Sequence, residues 1–148
     1  MRSLATGIAA TVLIWLMVSV PATASPALLF EPSTGKVLYA EDIDDLWHPA
    51  SLTKLMTAYL TFEAIKEGKL HLDDKISCSL VATLQPPSKV GVQVGETLKV
   101  EQALQAVIIK SANDVTVMLA EAISGSEAAF VERMKIGRAS CRERVSSP

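Results

Sequence analysis

Pro49-Ala50-Ser51-Leu52-Thr53-Lys54-Leu55-Met56-Thr57-Ala58 is the stretch on which the fold turns. It sets a serine and a lysine three residues apart, behind a proline, at the head of a long apolar pattern. Leu52, Leu55, Met56, Tyr59, Leu60 and Ala64 recur at three- and four-residue steps, and this period predicts a helix. Gly68 supplies its C-terminal stop. Phe62 and Ile65 lie off the stripe, so the helix is expected to be buried on most sides.

A serine hydroxyl is a poor nucleophile until a nearby base takes its proton. Side chains three residues apart on a helix share a face, about 5–6 Å apart at Cβ. A lysine at position 54 can therefore reach back to a serine at position 51. Its amine acts as a base only when neutral, which burial and neighbouring positive potential favour. A helix N-terminus supplies that potential and also stabilises a developing oxyanion. The competing reading of Ser51 is a helix-start serine whose oxygen caps a backbone N–H. Spacing alone does not choose, because Ser33-Thr34-Gly35-Lys36 has the same spacing. That copy reads as a turn, where no helix aligns the two side chains.

Upstream, Ala27-Leu28-Leu29-Phe30 and Lys36-Val37-Leu38-Tyr39 flank this turn and predict a β-hairpin. Residues 1–24 have the layout of a secretory signal. A charged start (Met1, Arg2) leads to an apolar run from Ile8 to Val20 and then to Ala22-Thr23-Ala24. Cleavage is expected after Ala24, with the mature chain exported to the periplasm or the outer face of the cytoplasmic membrane. The alternative is an uncleaved anchor, but the run falls short of the roughly 20 residues a span needs.

Downstream, residues 70–99 suggest short β pieces at Lys75–Ser79 and Val90–Val94, separated by Pro86-Pro87. Val100, Ala103, Leu104, Val107 and Ile108 restore the helical period. It breaks at Ser111-Ala112-Asn113-Asp114 and resumes through Val115, Met118, Leu119 and Ala122, with Gly125 as the stop. Ser126 is expected to cap a last helix over Glu127–Met134. Ser111 and Asn113, in the break, can both point into one cleft; alternatively Asn113-Asp114 caps the following helix. Hairpin, helix, β pieces, then helices make an α+β order.

The 148 residues are room for one domain. The net charge of −2 divides into −6 over residues 25–134 and +3 over residues 135–148. An acidic body gives no reason to expect nucleic acid. Cys78 and Cys141 could pair in an oxidising compartment, or Cys78 could be a small buried residue. No Cys/His group has metal-ligand spacing.

Taken together, these residues resemble the low-molecular-mass penicillin-binding proteins, and among them the D-alanyl-D-alanine carboxypeptidases. The resemblance runs from about residue 26 to residue 134. It is carried by Pro49–Ala58, by the hairpin Ser33–Tyr39, by Lys110-Ser111-Ala112-Asn113-Asp114, and by Gly125–Met134. It implies the penicillin-binding/β-lactamase-like transpeptidase fold, an antiparallel sheet with helices, incomplete here. The reaction it implies removes the terminal D-alanine of a peptidoglycan stem peptide ending in D-Ala-D-Ala. Ser51 would be the nucleophile and Lys54 its base, Ser111 a proton relay, and Asn113 a ligand for the substrate amide. β-Lactams would inhibit by acylating Ser51, and no metal or organic cofactor is implied. Membrane association would come from a C-terminal region that these residues do not include.

The family's third motif, Lys-Thr-Gly or a close variant, does not occur in these 148 residues. The chain is therefore expected to be the N-terminal part of a longer enzyme, with little or no carboxypeptidase activity by itself. Residues 135–148 fit neither the family nor the apolar period and read as a sequence artefact. One rival is a class A-like β-lactamase, since 60 residues between Ser51 and Ser111 suit both. Ala112 and its flanks favour the carboxypeptidase. A non-catalytic penicillin-binding envelope protein on the same scaffold is a second. A Ser-His-Asp hydrolase using His48 or His71 is a third, but no G-x-S-x-G elbow surrounds a serine.

Overall fold

A computed structural model describes residues 26–146, with side chains to Gly137. The expected export signal lies outside the described residues, as does the side chain of Cys141. The chain divides into two units at His48/Pro49.

The first unit is a hairpin. Strands β1 (Ala27–Phe30) and β2 (Val37–Glu41) pair antiparallel, with an irregularity at Leu29/Phe30. The turn is closed by Gly35 N–H donating to the Glu31 carbonyl at 2.8 Å and Glu31 N–H donating to that of Lys36 at 2.9 Å. Gly35 takes φ +70°, which costs a glycine nothing. Thr34 Oγ1 donates to the Glu31 carboxylate and accepts from Lys36 N–H. The second serine–lysine pair, Ser33 and Lys36, is thus turn structure, as its composition suggests.

The second unit is mainly helical. A 3-10 turn (Ala50–Leu52) leads into α1 (Thr53–Lys66). Then come β3 (Lys75–Ser77), the short α2 (Leu80–Thr83) and β4 (Thr97–Lys99), which pairs antiparallel with β3. Helices α3 (Val100–Lys110), α4 (Asn113–Ser124) and α5 (Glu127–Ser146) follow. Among the described residues no helix is long and apolar enough to cross a membrane.

Helix α4 is the hub: α1, α2, α3, α5 and β3 all pack against it. Val115, Met118 and Leu119 on α4 are buried with Val100, Ala103, Leu104 and Val107 on α3, so most of each predicted apolar face forms the core; Ile108 and Ala122, assigned to the same faces, are exposed. Helix α1 adds Ala58 and Ala64 to that cluster and Leu60 to a second one around Phe130 of α5. Buried Thr61 satisfies its hydroxyl on the Thr57 carbonyl at 2.8 Å.

Helix α1 is buried or half-buried round most of its surface, as expected, with one exposed stripe of Leu55, Phe62 and Lys66. Three other points differ from expectation. Val90–Val94 is not a strand, because the N–H groups of Val90 and Gly91 donate to the Asp114 carboxylate instead of to a neighbouring strand. Helix α2 went unforeseen; Ser79 caps it, accepting from Ala82 N–H at 3.1 Å. The last helix starts at the Ser126 cap as expected but runs past Met134 to Ser146. No left-handed residue or proline interrupts it, and buried Gly137 stays helical. A Cβ there would lie 3.2 Å from Leu60 Cδ2, so the missing side chain lets α5 approach α1 closely.

Candidate active site

Ser51 sits in the 3-10 turn, two residues before α1 begins. Pro49 pre-sets the entry, with φ −70°. Ala50 takes φ +48°, a left-handed conformation that an alanine adopts at a cost. No side chain caps this helix start. The Ser51 hydroxyl instead faces two other side chains. Lys54 Nζ lies 3.4 Å from Ser51 Oγ, and Ser111 Oγ lies 3.0 Å away, donating to it. The lysine contact is long for a hydrogen bond.

Ser111 reaches Ser51 because of the break between α3 and α4. It is the left-handed C-terminal residue of α3, at φ +57°. That reversal swings its side chain off the helix and toward α1. The three side chains line a cleft of about 380 Å³ with Leu52, Leu55 and Ile108. The wall is apolar apart from the two hydroxyls and the Lys54 side-chain nitrogen. A small acyl group entering it would lose water on one side while meeting the serine on the other.

Asn113 does not line this cleft. Its Nδ2 donates to the Pro86 carbonyl at 2.9 Å and to the Pro87 carbonyl at 3.3 Å. Both acceptors belong to the 86–91 loop. The alternative reading of Asn113-Asp114 as a helix cap fails: the cap position is Ala112, with no side-chain cap bond. His48 and His71 belong to neither motif; His71 is engaged with Asp74 in a surface turn. Cys78 is buried and free. Burial, with the negative charge of Asp114, Glu121 and Glu96, pushes its thiol pKa up, so it is a poor nucleophile.

Sequence reasoning overlooked Asp114, taken only as a helix starter. Its carboxylate is fully buried and accepts three backbone N–H groups: Val90 at 3.1 Å, Gly91 at 2.8 Å and Val115 at 2.9 Å. Burial pushes its pKa up, the donors pull it down, and the donors prevail, leaving it below the ordinary aspartate value. A polar residue right after Asn113, at the head of an otherwise apolar helix face, was the available signal.

A sequence profile of the D-alanyl-D-alanine carboxypeptidase family matches residues 17–139. The D-alanyl-D-alanine carboxypeptidase DacF of Bacillus subtilis is 41% identical over 111 residues, 75% of this chain and 28% of that protein. Two solved structures share the fold. One is the D-alanyl-D-alanine carboxypeptidase DacD of Francisella tularensis, with TM-score 0.76 and 31% identity, covering 83% of this chain and 30% of that one. The other is penicillin binding protein 5 of Haemophilus influenzae, with TM-score 0.73 and 35% identity, covering 83% of this chain and 37% of that one. The chain thus spans little more than a quarter of the length of the curated relative.

Proposed function

Since this chain belongs to the D-alanyl-D-alanine carboxypeptidase family, we propose that it carries the acylating machinery of a serine peptidase acting on D-Ala-D-Ala peptides of peptidoglycan. The observation that supports this most is the convergence of Lys54 and Ser111 on one hydroxyl, that of Ser51. Ser51 Oγ attacks the carbonyl carbon between the two D-alanines while Lys54 Nζ takes its proton. The tetrahedral intermediate collapses, and the C–N bond breaks. The proton held by Lys54 returns to the departing amine by way of the Ser111 hydroxyl, so Lys54 and Ser111 are restored and D-alanine leaves neutral at nitrogen. Water then hydrolyses the ester on Ser51. Asn113 serves the substrate amide through Oδ1, the side-chain atom its loop contacts do not use.

A β-lactam carbonyl follows the same first step and leaves its acyl group on Ser51. Residues 1–24 act as the export signal, which puts the enzyme where peptidoglycan is, outside the cytoplasmic membrane.

The test supplies the rest of a fold from a relative. Residues 26–134 replace the matching segment of the Haemophilus influenzae protein, and the chimera is incubated with a penicillin. Mass spectrometry should find the acyl adduct on the peptide containing Ser51. Ser51→Ala should abolish the adduct, and Lys54→Ala should slow its formation by about 10²–10⁴-fold, the range of general-base contributions. A folded chimera that stays unmodified overturns the proposal.

A further inference from the structure

We propose that Asp114 is the positioning residue of the second motif: its buried carboxylate clamps the 86–91 loop across the start of α4, and the clamped loop sets the orientation of Asn113. The consequence for catalysis rests on the role proposed above for Asn113.

The bonds run in both directions between loop and helix. From the helix side, Asp114 Oδ1 accepts from Val90 N–H and Oδ2 from Gly91 N–H. From the loop side, the Ser88 carbonyl accepts from Asn113 N–H at 2.7 Å, and the Pro86 and Pro87 carbonyls hold Asn113 Nδ2. Ser88 Oγ also donates to the Lys110 carbonyl at 3.0 Å, at the end of α3. The loop thus touches the residues on both sides of Ser111.

Two more hydrogen bonds hold the loop, Lys89 Nζ donating to the Thr83 carbonyl at 3.0 Å and Gln93 Nε2 to that of Gly91 at 3.1 Å, but neither reaches α4. Pro86, Pro87, Ser88, Val90 and Gly91 are all exposed, and only Val92 beyond its end is buried. An exposed segment with no apolar anchor of its own takes its geometry from its hydrogen bonds. Three of its carbonyls turn to Asn113 because two of its N–H groups are held on the opposite side by a carboxylate. The chemistry also selects the residue type. A group meeting three N–H donors must be an acceptor throughout, which an ionised carboxylate is and an amide is not. The fully buried side chain cannot exchange these partners for water.

Asn113 is the sole asparagine, so isotope-labelled asparagine gives one side-chain NH₂ signal pair in the intact chain. In Asp114→Asn, which adds a second such pair, the Asn113 pair should move toward its solvent-averaged position. Amide exchange protection at Val90 and Gly91 should fall about tenfold or more beyond any loss at Leu60 and Leu104, the mark of local opening. An equal loss at all four amides, or an unmoved Asn113 pair, would overturn the proposal. If the variant does not fold, the unaltered chain decides. There the Val90 and Gly91 amides should exchange about as slowly as that of Met118, and exchange at loop rates would overturn it. In the penicillin-treated chimera, Asp114→Asn should slow acylation about tenfold; an unchanged rate would remove the catalytic part. The exchange measurements need no catalysis, so the clamp and the assignment of Ser51 can fail independently.

Discussion

At the scale of single residues, the candidate site depends on two non-glycine residues in left-handed backbone. Ala50 and Ser111 flank the chemistry at φ +48° and +57°. An L-residue there costs about 1–2 kcal/mol, and such strain persists where surrounding structure over-determines it. Ala50→Gly should therefore hold stability level or raise it by up to about 1 kcal/mol, since relief is partly offset by the entropy of a freer unfolded chain. Ala50→Val should lower it by about 1–3 kcal/mol. Urea midpoints of the two variants check this. Asp114 makes a second prediction. Its pKa is depressed on folding, so the stability it contributes is present above the unfolded aspartate value of about 3.9. That contribution is lost as pH falls through the lower, folded pKa. Asp114→Asn should cost about 1–3 kcal/mol near neutral pH, the range for a buried donor left unsatisfied. Its deficit against the parent should shrink in acid below the ordinary carboxylate range; a deficit unchanged there would show that the charge is not the source. Ser51 and Lys54 were legible because i and i+3 on a helix is a local relation. The partners of Asp114 were not, because they are backbone N–H groups some 24 residues away and leave no mark on side-chain type.

At the scale of elements, helices α3 and α4 were easiest to read. The period in Val100–Val107 and Val115–Leu119 maps directly onto the buried faces of α3 and α4. Helix α1 has the same period and a different outcome. Leu55, with Leu52 just before the helix, forms the cleft wall, whereas Leu60 is in the core. Periodicity reports which residues avoid water in the protein's working state and does not distinguish a core from a binding wall. The distinction is measurable in the chain. Leu60 is 4% exposed, so Leu60→Ala should cost about 2–5 kcal/mol. Leu55 is 65% exposed, so Leu55→Ala should change stability by no more than about 0.5 kcal/mol. Equal losses in denaturant titrations would contradict the split. Val90–Val94 misled for a related reason. Its alternation is that of a strand, but a strand needs a neighbour for its N–H groups, and a carboxylate on α4 took two of them.

At the scale of the whole molecule, the order of hairpin, helix, β pieces and helices was readable as α+β, and the family's fold accounts for it. The exposed apolar surface was less readable, because a hydrophobic residue carries no sign of which segment covers it. Leu52, Leu55 and Ile108 line the cleft in the open, and Ile109 is 83% exposed. Leu80, Val81 and Leu84 of the α2 region are exposed too. In the hairpin, Leu28, Phe30 and Leu38 are about half exposed, and a lone two-stranded hairpin is marginal in water. Soluble monomers rarely leave contiguous apolar patches above a few hundred Å² uncovered. The 148-residue chain should therefore associate with itself as its concentration rises. Sedimentation should show an average mass above the 15.8 kDa of one chain, increasing across a dilution series, and a dye that reports apolar surface should brighten on binding. Charged substitutions at Ile108 and Ile109, which face outward from α3 and have no part in the core, should reduce that association while leaving helix content unchanged. A monomer at every concentration, with no dye binding, would mean that this surface is covered by contacts within the chain.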